Sequence, residues 1–249
     1  MLFSFFTSWK RERVLRKHRI PDDLWQAAIG EASSAAHLTA DDADRLRDMA
    51  SLFLYEKSVE PAKDLDMTDA MRVRIACEAA VPVLNLGLDY YHPWYSVIVY
   101  AEAFIARDVF VDDAGVLHTQ SSNRLGEAWL RGPVIISWAD VLSHPPGSNV
   151  IIHEIAHKLD MLDGVANGRP PMQAGMKQEH WTVAFSAAFA EHRAQLETGS
   201  PTEIDSYAAK SPAEFFAVTS EVFFETPQVL QTAWPDVYRQ LALYYRQRP

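Results

Sequence analysis

Val150-Ile-Ile-His-Glu-Ile-Ala-His-Lys-Leu159 carries the strongest structural and chemical signal in this chain. Its apolar residues recur at helical spacing, which predicts a well-buried helix over 149–162. His153 and His157 are four positions apart, so both imidazoles project from one face and can bind one metal ion. Glu154 follows the first histidine, where it can act as a general base on a water without binding the metal itself.

A third metal ligand has to come from elsewhere in the chain, because a catalytic zinc usually takes three protein ligands and keeps one position open. Four acids are candidates: Asp160, Asp163, Glu214 and Glu221. Asp163 has the spacing of the third metzincin ligand, but that pattern needs glycine at the position of Asp160 to turn the chain. Asp160 is better suited to a hydrogen bond that orients a ligand or the helix.

The two glutamates are closely matched as third ligands. Glu214 falls in the first turn of a predicted helix, where it can also complete a capping box with Ser211. Glu221 lies seven residues later on the same stripe and is a backup ligand or a hydrogen-bond partner of one. Spacing alone puts Glu214 only slightly ahead of Glu221.

Helical patterns occupy both ends of the chain and strand patterns the middle. Helices are predicted at 22–36, 40–57, 69–84, 149–162, 176–197, 212–225 and 235–247. Short runs of β-branched and aromatic residues predict an antiparallel or mixed sheet; these runs are Tyr95–Tyr100, Val109–Val111, Val116–His118 and Val134–Trp138. Helices, then strands, then helices indicate an α+β fold.

Polar residues ahead of these helices are candidate caps; they are Thr39, Thr68, Ser148 or Asn149, and Ser211. We expect residues 21–249 to form a single unit, with a helical part over about 21–88 and a catalytic part over about 89–249. The aromatic cluster Tyr90–Tyr95 is expected in the core, with a substrate groove as the alternative.

Charge and cysteine content limit the function classes. The chain has 249 residues and a formal net charge of −10, which argues against direct nucleic-acid binding. The basic residues of segment 1–20 follow an apolar stretch, so the segment is not a secretory signal, and we expect it to be mobile. No run is long enough to span a membrane. The single cysteine, Cys77, is expected in the core, and a cytoplasmic location is the default.

Two blocks of the sequence closely resemble the Mlc titration factor A family of bacterial zinc metallopeptidases. The first is His153-Glu-Ile-Ala-His-Lys-Leu-Asp160 and the second is Ile204–Phe224, which contains Ala213-Glu-Phe-Phe216. The resemblance extends over most of 40–247 and leaves the first ~20 residues outside it. Both blocks also look like the catalytic domain of anthrax lethal factor, in which a tyrosine precedes the liganding glutamate by seven residues.

The resemblance implies a zincin-like fold and a site assignment. By this resemblance His153, His157 and Glu214 are the ligands of one Zn²⁺, Glu154 is the base and Tyr207 donates a hydrogen bond to the transition state. It further implies an aminopeptidase-like activity on a peptide or protein substrate through a zinc-activated water. It also implies binding to Mlc, a transcriptional repressor of glucose-uptake genes.

Two other classes of protein stay open from the sequence. The chain can be a repressor-sequestering binding protein with a vestigial peptidase site, or a structural helical protein in which HExxH is incidental. Stoichiometric zinc and hydrolysis of chromogenic substrates separate these alternatives from a peptidase.

Overall fold

The computed structural model is mostly helical, with one small sheet of three strands. It describes residues 2–62, 65–102, 110–111, 117–118, 131–143 and 145–249, and the side chains of 9–62, 65–102, 131–143 and 145–249. The coarse prediction of an α+β fold is therefore confirmed in these parts of the chain.

The N-terminal helices follow the predicted pattern with shorter ends. They are α1 (Leu2–His18), α2 (Asp22–Glu31), α3 (Ala40–Glu56) and α4 (Asp69–Ala80). Both predicted caps are confirmed, since the Thr39 hydroxyl accepts from the Asp42 amide and the Thr68 hydroxyl from the Met71 amide. The predicted helices 22–36 and 69–84 finish as the short 3-10 turns Ser33–Ala35 and Val81–Val83. A third turn of this kind covers Leu88–Tyr91.

The basic N-terminal segment packs on the rest of the chain as helix α1. Val14 is buried in the core, and Arg11 forms an ion pair of 2.7 Å with Asp89. The prediction that segment 1–20 is mobile, and the division of the chain into two parts, stay predictions.

The central sheet is parallel, so the prediction of an antiparallel or mixed sheet was wrong for these strands. It contains β1 (Ser58–Pro61), β2 (Ser96–Tyr100) and a strand at Val134–Ser137, in that order. β1 was missed because four residues ending in proline give little strand signal. Parallel neighbours such as β1 and β2 need a long crossover between them. That crossover contains α4.

Two short strands pair apart from this sheet. β3 (Phe110–Val111) and β4 (Leu117–His118) are antiparallel to each other, as a hairpin would be. The other predicted strand residues here, Val109 and Val116, lie outside the described residues, as do residues 112–115 between β3 and β4. The parallel strand Val134–Ser137 is therefore β5.

The C-terminal half is helical, as predicted. Its helices are α5 (Trp138–Leu142), α6 (Val150–Asp160), α7 (Gln178–Glu197), α8 (Pro212–Glu225), α9 (Pro227–Ala233) and α10 (Pro235–Tyr245), and 3-10 turns cover Met161–Asp163 and Ser206–Ala209. Trp138 starts α5 instead of ending a strand, because the Ser137 hydroxyl accepts from the Asp140 amide and caps this helix. The short helix α9 was not predicted.

One continuous core places α6, the helix that carries HExxH, in the middle of the protein. This core runs from Val14 to Tyr245, and α6 packs against α8, α4 and β5. Cys77 is fully buried, as predicted. In the aromatic cluster Tyr91 and Trp94 belong to the core, whereas Tyr95 is largely exposed. Across the described residues, no helix has the length and apolar character that crossing a bilayer requires.

Candidate metal centre

Helix α6 presents its two histidines on a face that the described core does not cover. Ile151, Ile152 and Ile155 are buried on the other faces. The Asn149 side chain caps the helix by accepting from the Ile152 amide at 3.1 Å, which selects Asn149 over the alternative Ser148. The side chains of His153 and His157 keep 13% and 18% of their surface exposed, enough for a ligand to approach.

Three ligand atoms from two helices meet at one point. Oε2 of Glu214 lies 3.1 Å from Nε2 of His153 and 3.1 Å from Nε2 of His157. The two Nε2 atoms are also 3.1 Å apart. Ligands that bind one zinc ion at about 2.0–2.2 Å in tetrahedral geometry lie about 3.4 Å from each other. Within the part of the chain that the structure describes, the side chains that cluster closely enough to hold a metal ion are His153, His157 and Glu214.

Glu214 reaches this point because its helix begins immediately before it. Pro212 occupies the first turn of α8, and the Ser211 hydroxyl accepts from the Glu214 amide at 3.2 Å. Ser211 thus forms its half of the predicted capping box. The Glu214 carboxylate is directed to the two histidines, and its Oε1 accepts a hydrogen bond of 3.2 Å from the Tyr207 hydroxyl.

Glu221 orients His153 from the Nδ1 side of its ring. It is therefore not placed to be a ligand beside Glu214, which lies at Nε2. Its Oε1 lies 2.7 Å from Nδ1 of His153. Its Oε2 accepts from the Asn149 amide at 2.6 Å and from the Ser148 hydroxyl at 3.2 Å. A carboxylate on Nδ1 fixes the tautomer and the angle of the ring, so Nε2 is presented to the metal.

Asp160 is fully buried and holds a loop instead of a histidine. Its carboxylate accepts from the backbone amides of Gly168 at 2.7 Å and Arg169 at 2.8 Å. Burial raises the pKa of Asp160 to about 6, and the two amides partly oppose that rise. The other acid considered as a ligand, Asp163, is exposed and stands outside the triangle.

The loop held by Asp160 supports the start of α8. Gly168 has φ +77°, and a Cβ atom built on it would lie 2.2 Å from the carbonyl oxygen of Pro212. The indole of Trp181 donates to the Gly168 carbonyl at 3.0 Å. The segment after the HExxH helix is therefore fitted against the helix that supplies Glu214, a contact that no sequence pattern indicated.

Tyr207 lies beside the triangle, and Glu154 adjoins His153 in the chain. Glu154 is half-buried on α6, between its two histidines in sequence. The Tyr207 side chain is 45% exposed, and its ring lies 6.0 Å from the His153 ring. Nζ of Lys210, a residue that the sequence analysis did not single out, donates to the Tyr207 hydroxyl at 3.3 Å and lies over its ring.

The neighbouring groups favour the charged forms of His153 and Glu214. Burial disfavours the imidazolium of His153, but the carboxylates of Glu214 and Glu221 outweigh burial and raise its pKa to about 10. Burial opposes ionisation of Glu214 as well, yet the two histidines hold the pKa of Glu214 well below its usual range. A proton and a metal ion thus compete for the same ring nitrogen.

Two histidines of HExxH and a glutamate from a second helix form the donor set of a metallopeptidase. Comparison with known proteins agrees with this class. The chain belongs to the Mlc titration factor A family: the family model described as "Glucose-regulated metallo-peptidase M90" matches residues 6–246. This match begins within the basic segment, which the sequence analysis had left outside the resemblance.

Individual relatives cover nearly the whole chain. Mlc titration factor A of Edwardsiella ictaluri (strain 93-146) is 37% identical over 246 residues, 97% of this chain and 92% of the relative. Mlc titration factor A of Klebsiella pneumoniae subsp. pneumoniae is 31% identical over 245 residues, 97% of this chain and 91% of the relative. The uncharacterized protein slr2042 of Synechocystis is 34% identical over 253 residues, 99% of this chain and 91% of the relative.

Proposed function

We propose that this protein is a zinc-dependent peptidase of the zincin type with an aminopeptidase-like activity. The observation that carries the proposal is the triangle of His153 Nε2, His157 Nε2 and Glu214 Oε2, each 3.1 Å from the other two. Two imidazoles and one carboxylate are a donor set of catalytic zinc sites. The metallopeptidase family supports a metal at this point.

The chain's own residues fit the chemistry of peptide hydrolysis. Zinc, when bound, lowers the pKa of a water and polarises a carbonyl. The Glu154 carboxylate takes the proton of the attacking water and passes it to the leaving amine. The Tyr207 hydroxyl donates a hydrogen bond to the oxygen that becomes negative, so it leaves its contact with Glu214 during the reaction.

The orientation of these groups is set by contacts outside the triangle. Glu221 holds a proton on Nδ1 of His153, so Nε2 is the nitrogen that a bound metal would use. The capped start of α8 holds Glu214 against α6. This preorganisation supports an active site over a vestigial one, because His153, Glu214 and Tyr207 are each held by specific hydrogen bonds.

Zinc content and hydrolysis test the proposal together. We expect about one Zn²⁺ per purified chain and hydrolysis of alanine-type chromogenic substrates, abolished by a chelator and restored by Zn²⁺. A protein that takes up no zinc contradicts the metal site. A zinc-loaded protein that cleaves no such substrate contradicts the aminopeptidase activity and leaves the sequestering role.

A regulatory partner is the second part of the proposal. The relatives are named Mlc titration factor A, and that name indicates that those proteins titrate Mlc. We extend this to the present chain, which would then act in the cytoplasm on an Mlc-type repressor. Calorimetric titration of such a repressor with wild-type and Glu154→Gln protein tests it. Equal binding by both is expected, and the absence of binding by either contradicts the partner.

A further inference from the structure

The helical N-terminal part of the chain reaches the metal triangle through a short buried path of hydrogen bonds. The path starts at Glu78 on α4 and passes through Asn149 and Glu221 to His153. Glu78 is 1% exposed and Asn149 is 4% exposed. None of the first three residues belongs to the triangle, and two of them, Glu78 and Asn149, lie on elements other than α8.

Asn149 is the junction of this path. Its side-chain oxygen caps α6, and its Nδ2 donates to Oε2 of Glu78 at 3.0 Å and to Oε1 of Glu225 at 2.7 Å. Its backbone amide donates to Oε2 of Glu221 at 2.6 Å. The two acceptors of Nδ2 determine which way the amide faces, because the reversed amide would put an oxygen against two carboxylates.

Glu78 is itself fixed by contacts within the N-terminal part. Its Oε2 accepts from the Ser34 hydroxyl, and its Oε1 lies 2.8 Å from a guanidinium nitrogen of Arg74. Arg74 also pairs with Glu31 at 3.1 Å, but the Glu31 side chain is 71% exposed. A buried carboxylate pays a desolvation cost that a surface carboxylate avoids, so the contacts of Glu78 are the ones that need an explanation.

We propose that Glu78 is a positioning residue of the metal centre, which acts through Asn149 and Glu221 on the orientation of His153. The inference rests on the proposed metal site. Glu78 holds the Asn149 amide, the Asn149 backbone N–H holds Glu221, and Glu221 sets the angle at which Nε2 of His153 meets the metal.

Zinc affinity of the full-length protein, measured by competition with a chromophoric chelator, is the test. Outer partners of metal ligands typically change metal affinity about 10–100-fold when replaced. We expect Glu78→Gln to weaken Zn²⁺ binding about tenfold, at the lower end because two residues intervene. Glu31→Gln is the matched control, since it removes the other partner of Arg74, and it should leave the affinity unchanged.

A double-mutant cycle then identifies the route. Asn149→Ser keeps a cap for α6 and the backbone amide but removes Nδ2. If Glu78 acts through Asn149, the pair Glu78→Gln and Asn149→Ser binds Zn²⁺ no more weakly than Asn149→Ser alone. If the two substitutions weaken Zn²⁺ binding by factors that multiply in the pair, the route through Asn149 is overturned.

A merely structural role of Glu78 makes a different prediction. Glu78→Gln would then destabilise the metal-free protein yet bind Zn²⁺ as the wild type does, and that outcome overturns the inference. The visible spectrum of the Co²⁺-substituted variant adds a geometric readout, expected to shift in Glu78→Gln and not in Glu31→Gln. If Glu78→Gln does not fold, Ser34→Ala replaces it: weaker Zn²⁺ binding supports the inference, and unchanged binding overturns it.

The proposed function and this inference fail separately. A wild-type protein without zinc contradicts the metal site itself. A wild-type protein that binds zinc, with a Glu78→Gln variant of equal affinity, contradicts only the role of Glu78.

Discussion

The hydroxyl of Tyr207 donates a hydrogen bond of 3.2 Å to Oε1 of Glu214, seven residues further along the chain. The 3-10 turn Ser206–Ala209 and the first turn of α8 bring these two side chains together. The hydroxyl is therefore hydrogen-bonded to Oε1 of Glu214, whereas Oε2 of the same carboxylate is the oxygen of the metal triangle.

Replacement of Tyr207 by phenylalanine removes this hydroxyl and little else. We expect Tyr207→Phe to retain zinc and to lose about 10²–10³-fold in kcat, the usual effect of removing one oxyanion donor. Steady-state kinetics with a zinc measurement on the same sample checks this. Tyr55→Phe, a comparably exposed tyrosine on α3, is the control. Wild-type kcat in Tyr207→Phe would remove Tyr207 from the mechanism.

Glu154 is expected to be required for catalysis and dispensable for metal binding. Glu154→Gln keeps the shape of the side chain but cannot accept the proton of the attacking water. Activity should fall to background while about one Zn²⁺ per chain remains bound. If the variant loses its zinc, Glu154 belongs among the ligands and the assignment of the triangle is wrong.

Metal binding should release protons at neutral pH. The pKa of His153 is raised to about 10 from its ordinary 6.5, so the metal-free ring carries a proton that the metal must displace. Zinc affinity is therefore expected to rise as the pH increases from 6 toward 10. Calorimetry in buffers of different ionisation enthalpy measures the proton count, and an apparent enthalpy independent of the buffer would contradict the shift.

The raised pKa of His153 also affects the stability of the metal-free protein. A folded-state pKa above the unfolded value stabilises the folded protein below pH 6.5, and this contribution is lost as the pH rises through about 10. The metal-free protein should thus unfold more easily at alkaline pH, whereas the zinc-loaded protein should not share that loss. Thermal unfolding of both forms across this range makes the comparison.

Gly168 offers a test of the contact between the loop and α8. Gly168→Ala adds a Cβ atom 2.2 Å from the Pro212 carbonyl oxygen at a positive φ. Gly199→Ala is the control, because Gly199 has φ +69° with open space around it. We expect Gly199→Ala to cost about 1–2 kcal/mol in unfolding free energy. Gly168→Ala should cost a further ~1–3 kcal/mol for overpacking.

Denaturant unfolding of the two glycine variants measures this difference. Zinc affinity should fall in Gly168→Ala only, since a displaced Pro212 moves the start of α8 and with it Glu214. Equal costs for the two variants would mean that the loop adapts without disturbing α8.

The HExxH helix was predictable from sequence because local signals agree. The apolar spacing of Ile151, Ile152 and Ile155 defines its buried face, and the i, i+4 spacing of His153 and His157 defines the other. The caps at Thr39, Thr68 and Ser211 follow from local hydrogen bonds for the same reason. These elements can be predicted without knowing what packs against them.

The choice among the acids was not predictable from spacing. Glu214 and Glu221 share one stripe of α8, and only the packing angle of α8 on α6 places Glu214 at Nε2 and Glu221 at Nδ1 of the same histidine. Asp160 was expected to orient a ligand or the helix, yet its carboxylate accepts from the amides of Gly168 and Arg169. The parallel sheet was missed for a related reason, since strand order depends on long-range pairing.

The separation of the ligands along the chain has a consequence for biosynthesis. Glu214 follows His153 by 61 residues, and its position depends on the loop after α6 and on the whole of α8. During translation the two histidines leave the ribosome well before this carboxylate, so the nascent chain cannot close the triangle early. Under the proposed function, a growing chain can bind zinc at all three ligands only after residue 214 has emerged, so proteolytic activity does not arise on shorter nascent chains.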